Sequence, residues 1–236
     1  MPPLDLSKTH ELRELFAVPR EVRDAAWRRR FWAAVPDASL VSFQPQIERG
    51  PDGFPYFQLA IPPGGAFTAF SLSHVLPYVL EHGLGAVVFA DASRANPPEW
   101  VFSFGALLSL QMFGTLDTEG TQDAALADGA VVSEKVETPR QIFSGVPSEE
   151  FLPASARRAL GRYLREAGIA DPGVALIVDP TFRPQQNLLF NVGPENFGGD
   201  EARFRAFMSR LRWFLPEPLG LISGITAAHY APLGGS

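Results

Sequence analysis

The chain is 236 residues long, 46% hydrophobic and 19% charged, with 19 phenylalanines, no cysteine and a formal net charge of −6. That length accommodates one large domain or two small ones of about 100–150 residues, and the composition is that of a globular chain rather than a disordered one. The missing cysteines exclude disulfides, thiolate nucleophiles and cysteine metal sites. The negative balance weighs against a general nucleic-acid binder, whose affinity comes from basic side chains neutralising phosphates.

Residues 8 to 35, "KTHELRELFAVPREVRDAAWRRRFWAAV", read as two helices broken at Pro19, because proline suits a first turn and disrupts a helix interior. The second helix is expected to carry Val22, Ala26, Trp27 and Phe31 near one face. "SLVSFQPQI", the turn "GPDG" and "FPYFQLAI" read as a strand pair with turn chemistry between them, the second strand starting at Pro55 or lying on an edge. "FTAF" is expected to form another short strand. In "SLSHVLPYVLEHG" a helix ends at Gly83; placing Pro77 in its first turn favours Ser73 over Ser71 as the cap. "GAVVFA" is a buried strand by its unbroken apolar run, and "WVFSFGALLSLQMFG" reads as strand then helix.

Residues 114 to 130, "GTLDTEGTQDAALADGA", have little apolar periodicity and four acids, which makes the acidic stretch 117–130 the linker between domains 1–116 and 131–236. "VVSEKV" reads as a strand that either opens the second half or completes the first. After a proline-punctuated loop, "SARRALGRYLREAG" reads as a helix. Its expected buried side is Leu160, Tyr163, Leu164 and Ala167, and Arg157, Arg158, Arg162 and Arg165 form a basic stripe. "VALIVD", "NLLFNV", a helix over about 200 to 213 and "LGLISGI" complete an α-β-β-α-β order. The expected class is α+β: two small domains, each a mixed or antiparallel sheet packed with helices.

Chemistry is harder to find than structure. The loop "NVGPENFGGDEARF" is glycine-rich between strand and helix, as a phosphate cradle would be, but it lacks the nucleotide-binding glycine spacings. It also places Glu195, Asp200 and Glu201 where the anion would sit. Asp200 is therefore expected to cap the following helix. His74 and His82 lie eight apart, too far along a helix to share a metal, and His10 and His229 lie near the ends. "GLISG" around Ser223 and "FSGVP" around Ser144 lack the nucleophile-elbow spacing, and Glu149 and Glu150 are adjacent acids in a loop. No catalytic, cofactor-binding or metal-binding residue is assigned.

Two features suit protein contact. "WRRRFW" gathers Trp27, Arg28, Arg30 and Trp32, residue types enriched at binding hot spots. Its other reading is a core helix with solvated arginines. The second is the stripe of Arg157, Arg158 and Arg162, either a solvated face or a surface for an acidic partner.

The order of these parts resembles the SseB family (enhanced serine sensitivity protein B). "HELRELFAVPREVRDAAWRRRFWAAVPDASLVSF" is similar to the family's N-terminal helix, break, second helix and first strand. "PYFQLAIPPGGAFTAFSLSHVLPYV" resembles its apolar-aromatic strand, turn and helix. "VVSEKVETPRQI", "FLPASARRALGRYL" and "QQNLLFNVG" are similar to the start, helix and central strand of its C-terminal domain. The resemblance implies a bacterial, cytoplasmic protein of two α+β domains with no assigned active site.

The sequence expectation is thus a non-enzymatic protein-interaction or regulatory protein whose partner is another protein, with no cofactor, no nucleic acid and no membrane. One alternative is an enzyme or small-ligand protein with a site assembled from distant residues, among which Ser71, His74, Arg183 and Asn191 are candidate polar groups. Another is an immunity or chaperone protein for a secreted toxin.

Overall fold

The computed structural model describes residues 6–116, 142–180, 185–216, 219–224 and 230–233. The chain divides into two compact units, Met1–Asp117 and Thr118–Ser236, each a mixed sheet with helices, and the class is α+β as expected. The expected linker 117–130 and the expected strand "VVSEKV" lie outside the described residues.

In the first unit, helix α1 (Ser7–Ala17), a 3-10 turn (Arg20–Val22) and helix α2 (Ala25–Ala34) precede strands β1 (Val41–Arg49) and β2 (Pro55–Ala60). Helix α3 (Leu72–Glu81) crosses to β3 (Gly85–Phe89), and β4 (Trp100–Phe102) leads into α4 (Phe104–Phe113). The sheet order is β1-β2-β3-β4, with β2 and β3 parallel and the outer pairs antiparallel. Pro45 falls in the irregular part of the edge strand β1, between Ser42 and Ile47, where a missing N–H is tolerated. Register puts Phe57, Leu59, Ala86, Val88, Trp100 and Phe102 on one face. Aromatic contacts from α2 and α3 land on that face: Phe31 and Trp32 on Trp100 and Phe102, and Tyr78 on Phe57.

Four local expectations in this unit need correction. Val22 belongs to the 3-10 turn and is 66% exposed, while Ala26 faces solvent, so the buried side of α2 is Trp27, Phe31 and Ala34. "FTAF" supplies only a single bridge, Phe70 to Leu40. The cap of α3 is Ser71, whose hydroxyl accepts from the His74 amide at 3.2 Å, and Pro77 sits inside the helix. Proline there removes only the bond to the Ser73 carbonyl, and both residues lie on the exposed side where water replaces it. Ser73 is instead pinned outward, its amide to the Pro36 carbonyl and its hydroxyl to Asp37.

In the second unit, β5 (Phe143–Gly145), α5 (Ala154–Glu166), β6 (Gly173–Val178) and β7 (Gln186–Phe190) are followed by a 3-10 turn (Pro194–Phe197) and α6 (Glu201–Leu211). Strands β8 (Gly220–Ser223) and β9 (Ala231–Pro232) close the sheet. The order is β5-β6-β7-β8, with β9 beside the first residues of β6 and β5 beside its last. Strands β5 and β9 add to the expected α-β-β-α-β order; at three and two residues they are too short to show a period. Ala167 is a second correction: α5 ends at Glu166 and Ala167 is exposed, while Leu160 and Leu164 are fully buried. Tyr163 stacks on Phe207 of α6 at 5.5 Å. Glycine is required at 161, where a Cβ would run into the Leu233 carbonyl.

Candidate interaction site

The tryptophan–arginine helix has a buried side, Trp27, Phe31 and Ala34, and an exposed side that carries Arg29 and Arg30. Trp27 is buried, donates its indole N–H to the Leu15 carbonyl at 2.9 Å and stacks on Phe31. Asp24 caps the helix by accepting from the Trp27 amide. Trp32 is half-buried and packs edge-on against Trp100 at 4.8 Å; Arg28 is half-buried. Arg30 is exposed and pairs with Glu11 at 3.4 Å and Glu14 at 4.0 Å on α1. Arg23 lies over the Trp27 ring and bonds Glu99 at 2.8 Å, tying the helix entry to β4.

The arginines of α5 divide into two kinds. Arg157 donates to the carbonyls of Leu152 and Pro147, and Arg165 donates to the Leu233 carbonyl, so both fasten loops to the helix. Arg158 and Arg162 are exposed. Arg165 is exposed as well, so three of the four arginines of the stripe face solvent and Arg157 is the half-buried one.

Asp200 caps α6, accepting from the amides of Ala202 and Arg203 at 3.0 Å each. Those are the amides a phosphate would have used. Gly198 and Gly199, both left-handed, turn the chain into the helix, and Phe204, Phe207, Met208 and Leu211 are buried as the period implied.

Of the scattered polar groups, Ser71 is a helix cap and His74 is exposed, both in the first unit. Asn191, in the second, accepts from the Gly173 amide at 2.6 Å and donates to the Asp171 carbonyl at 2.7 Å. Its amide thus joins the start of β6 to the end of β7. Arg183 and His229 lie outside the described residues. His10 faces Glu14 at 3.5 Å, and His82 bonds the Tyr78 carbonyl beneath its ring. Among the described residues no three His, Asp or Glu side chains gather as a metal-binding group, and no helix is long and apolar enough to cross a membrane.

Two clefts among the described residues bring polar side chains together. One, of about 210 Å³, lies between α1 and the Pro62–Gly65 loop; its Arg13 donates to Pro62 and its Thr9 exchanges bonds with Ser39. The other, of about 360 Å³, is lined by Arg165, Asn191 and Tyr230, whose described bonds all run to backbone atoms. None of these described bonds joins a nucleophile to a base.

A different kind of site stands at β5. Among the described residues it is an edge strand, and it and its flanks carry three of their most exposed large apolar side chains: Ile142 at 44%, Phe143 at 57% and Val146 at 61%. Beyond the Gly145 α-carbon there is open space, since a Cβ built there meets nothing within 4 Å. The strand's exit is fixed: Pro147 is buried and its carbonyl is held by Arg157. Glu149 caps the following helix by accepting from the Ala154 amide at 2.8 Å. Ser144, considered above as a nucleophile, is the middle residue of this strand. An open ladder edge bearing exposed apolar side chains on a fixed backbone is suited to adding another strand. In the sequence the only trace of it is "IFSGV", a short apolar run without a period.

Comparison with protein-family models, with curated proteins and with solved structures found no match to this chain.

Proposed function

We propose that the protein acts by binding another protein and performs no chemistry of its own, as a bacterial cytoplasmic interaction or regulatory protein of SseB-like type. The observation that carries this reading is the exposed apolar edge at β5. Leaving Ile142, Phe143 and Val146 in water is unfavourable by about 25 cal/mol for each Å² of apolar surface, a disadvantage that a partner strand would remove. The SseB-like part of the proposal rests on the sequence patterns and on the two α+β units the resemblance implies. The exposed Arg158 and Arg162 offer an acidic partner a second point of contact.

A photo-activated cross-linking residue placed at Phe143 in the native host tests the reading. It is expected to give a protein adduct well above that from the same probe at the exposed Ala167. Equal adduct at the two positions contradicts it.

A further inference from the structure

We infer that the partner of the β5 edge is a second copy of this chain, joined by antiparallel β5–β5 pairing about a two-fold axis at Ser144. This rests on the reading that β5 is a protein contact. The argument is the self-complementarity of "IFSGV". In antiparallel pairing, directly opposed residues lie on the same face of the sheet. With Ser144 opposite itself, Ile142 of one copy faces Val146 of the other, apolar against apolar. Phe143 faces Gly145, where the open space beside the glycine receives the ring, an aromatic side chain covering an edge glycine.

Other registers fail. Centring the axis on Phe143 sets Ile142 against Ser144, and centring it on Gly145 sets Ser144 against Val146 and Phe143 against Pro147. A half-residue shift, which opposes Phe143 to Val146, joins residues that point to different faces. Only the Ser144-centred register pairs every exposed apolar residue with an apolar side chain or with the glycine space. It also places the Glu149–Glu150 pairs of the two copies at opposite ends of the contact rather than against each other.

The contact is isologous, so it closes at two copies and does not propagate. It continues the β5-β6-β7-β8 sheet across the axis. Three ladder residues and three apolar side chains per copy bury less than a standard interface of roughly 1,600 Å², which places the dimer at the weak, reversible end. Each copy carries a charge of −6, so added salt screens the repulsion and strengthens association.

The chain has no cysteine, so a single Ser144→Cys variant reports the register without background. Across the axis its sulfur meets its own copy at disulfide distance. Mild oxidation is expected to cross-link Ser144→Cys at least tenfold faster than Phe143→Cys or Val146→Cys, while mixing Phe143→Cys with Gly145→Cys gives the mixed dimer. Sedimentation velocity over the micromolar to millimolar range is expected to show a monomer–dimer equilibrium in the native chain. Gly145→Leu and Phe143→Lys should abolish it while leaving circular dichroism and melting unchanged. A chain that stays monomeric throughout, or cross-linking equal at all three positions, overturns the inference. If the Phe143 probe then yields adducts only with a different protein, the protein-contact reading stands and the two-copy assignment falls; if it yields no adduct, both fall.

Discussion

Replacing Phe31 by alanine separates the two readings of "WRRRFW". Phe31 is fully buried and touches five rings: Trp32 and Trp100 at 5.0 Å, Trp27 at 5.1 Å, Phe16 at 5.8 Å and Phe102 at 6.2 Å. Removing a buried phenylalanine side chain costs about 3–5 kcal/mol, more where the walls cannot collapse. Here the walls are large rings held on α1, α2 and β4, which puts the loss near the upper end, about 4–5 kcal/mol. The comparison is Arg30→Ala, whose ion pairs to Glu11 and Glu14 are exposed and worth under about 1 kcal/mol. Urea unfolding followed by tryptophan fluorescence reads both variants, because Trp27, Trp32 and Trp100 share this cluster. With a slope of about 2 kcal/mol per molar, Phe31→Ala should lower the midpoint by about 2 M and Arg30→Ala by under about 0.5 M. A loss below about 1 kcal/mol for Phe31→Ala would refute the core assignment of this helix.

Two further outcomes follow from the capping and charge arrangements. Asp200→Ala should destabilise the second unit by about 1 kcal/mol in the same unfolding measurement, with Asp200→Asn restoring most of it, since either side chain can accept from the first-turn amides. Glu48 accepts from the Gln58 amide at 2.8 Å and from Arg94, whose guanidinium also lies over Phe43. The Gln58 bond chiefly, with the Arg94 charge assisting, holds the Glu48 carboxyl below its ordinary value against an opposing desolvation effect. A carboxyl lowered on folding contributes stability above its ordinary range, and that contribution is lost as pH falls through the lowered value. Carboxyl-carbon NMR titration should show Gln58→Leu raising the Glu48 midpoint more than Arg94→Ala does; the reverse order would contradict the assignment of causes.

What the sequence shows and what it hides follow from range. Asp200 was legible because a cap is a local bond between a side chain and amides two and three residues on. The buried positions of α6 were legible because the helical period is local too. Proline's preference for a first turn favours Ser73 over Ser71 as the cap. The structure overrides it through contacts far along the chain, from Ser73 to Pro36 and Asp37, with Pro77 turned to water. The arginine stripe is legible as a helix face, but the bonds from Arg157 and Arg165 to the Pro147 and Leu233 carbonyls are not, because spacing within a helix cannot show contacts with distant loops. The β5 edge was the least legible part. Three residues carry no period, and an edge is defined by which neighbour is missing, a property of the assembled sheet.

The central claim, that β5 is a docking edge completed by a second copy, is tested most directly by hydrogen exchange of the backbone amides over residues 142–146 as chain concentration is raised. The account predicts that exchange there slows with concentration while the opposite edge strand, Gly220–Ser223, stays unchanged. Exchange at 142–146 that is independent of concentration, or equal slowing at both edges, would contradict it.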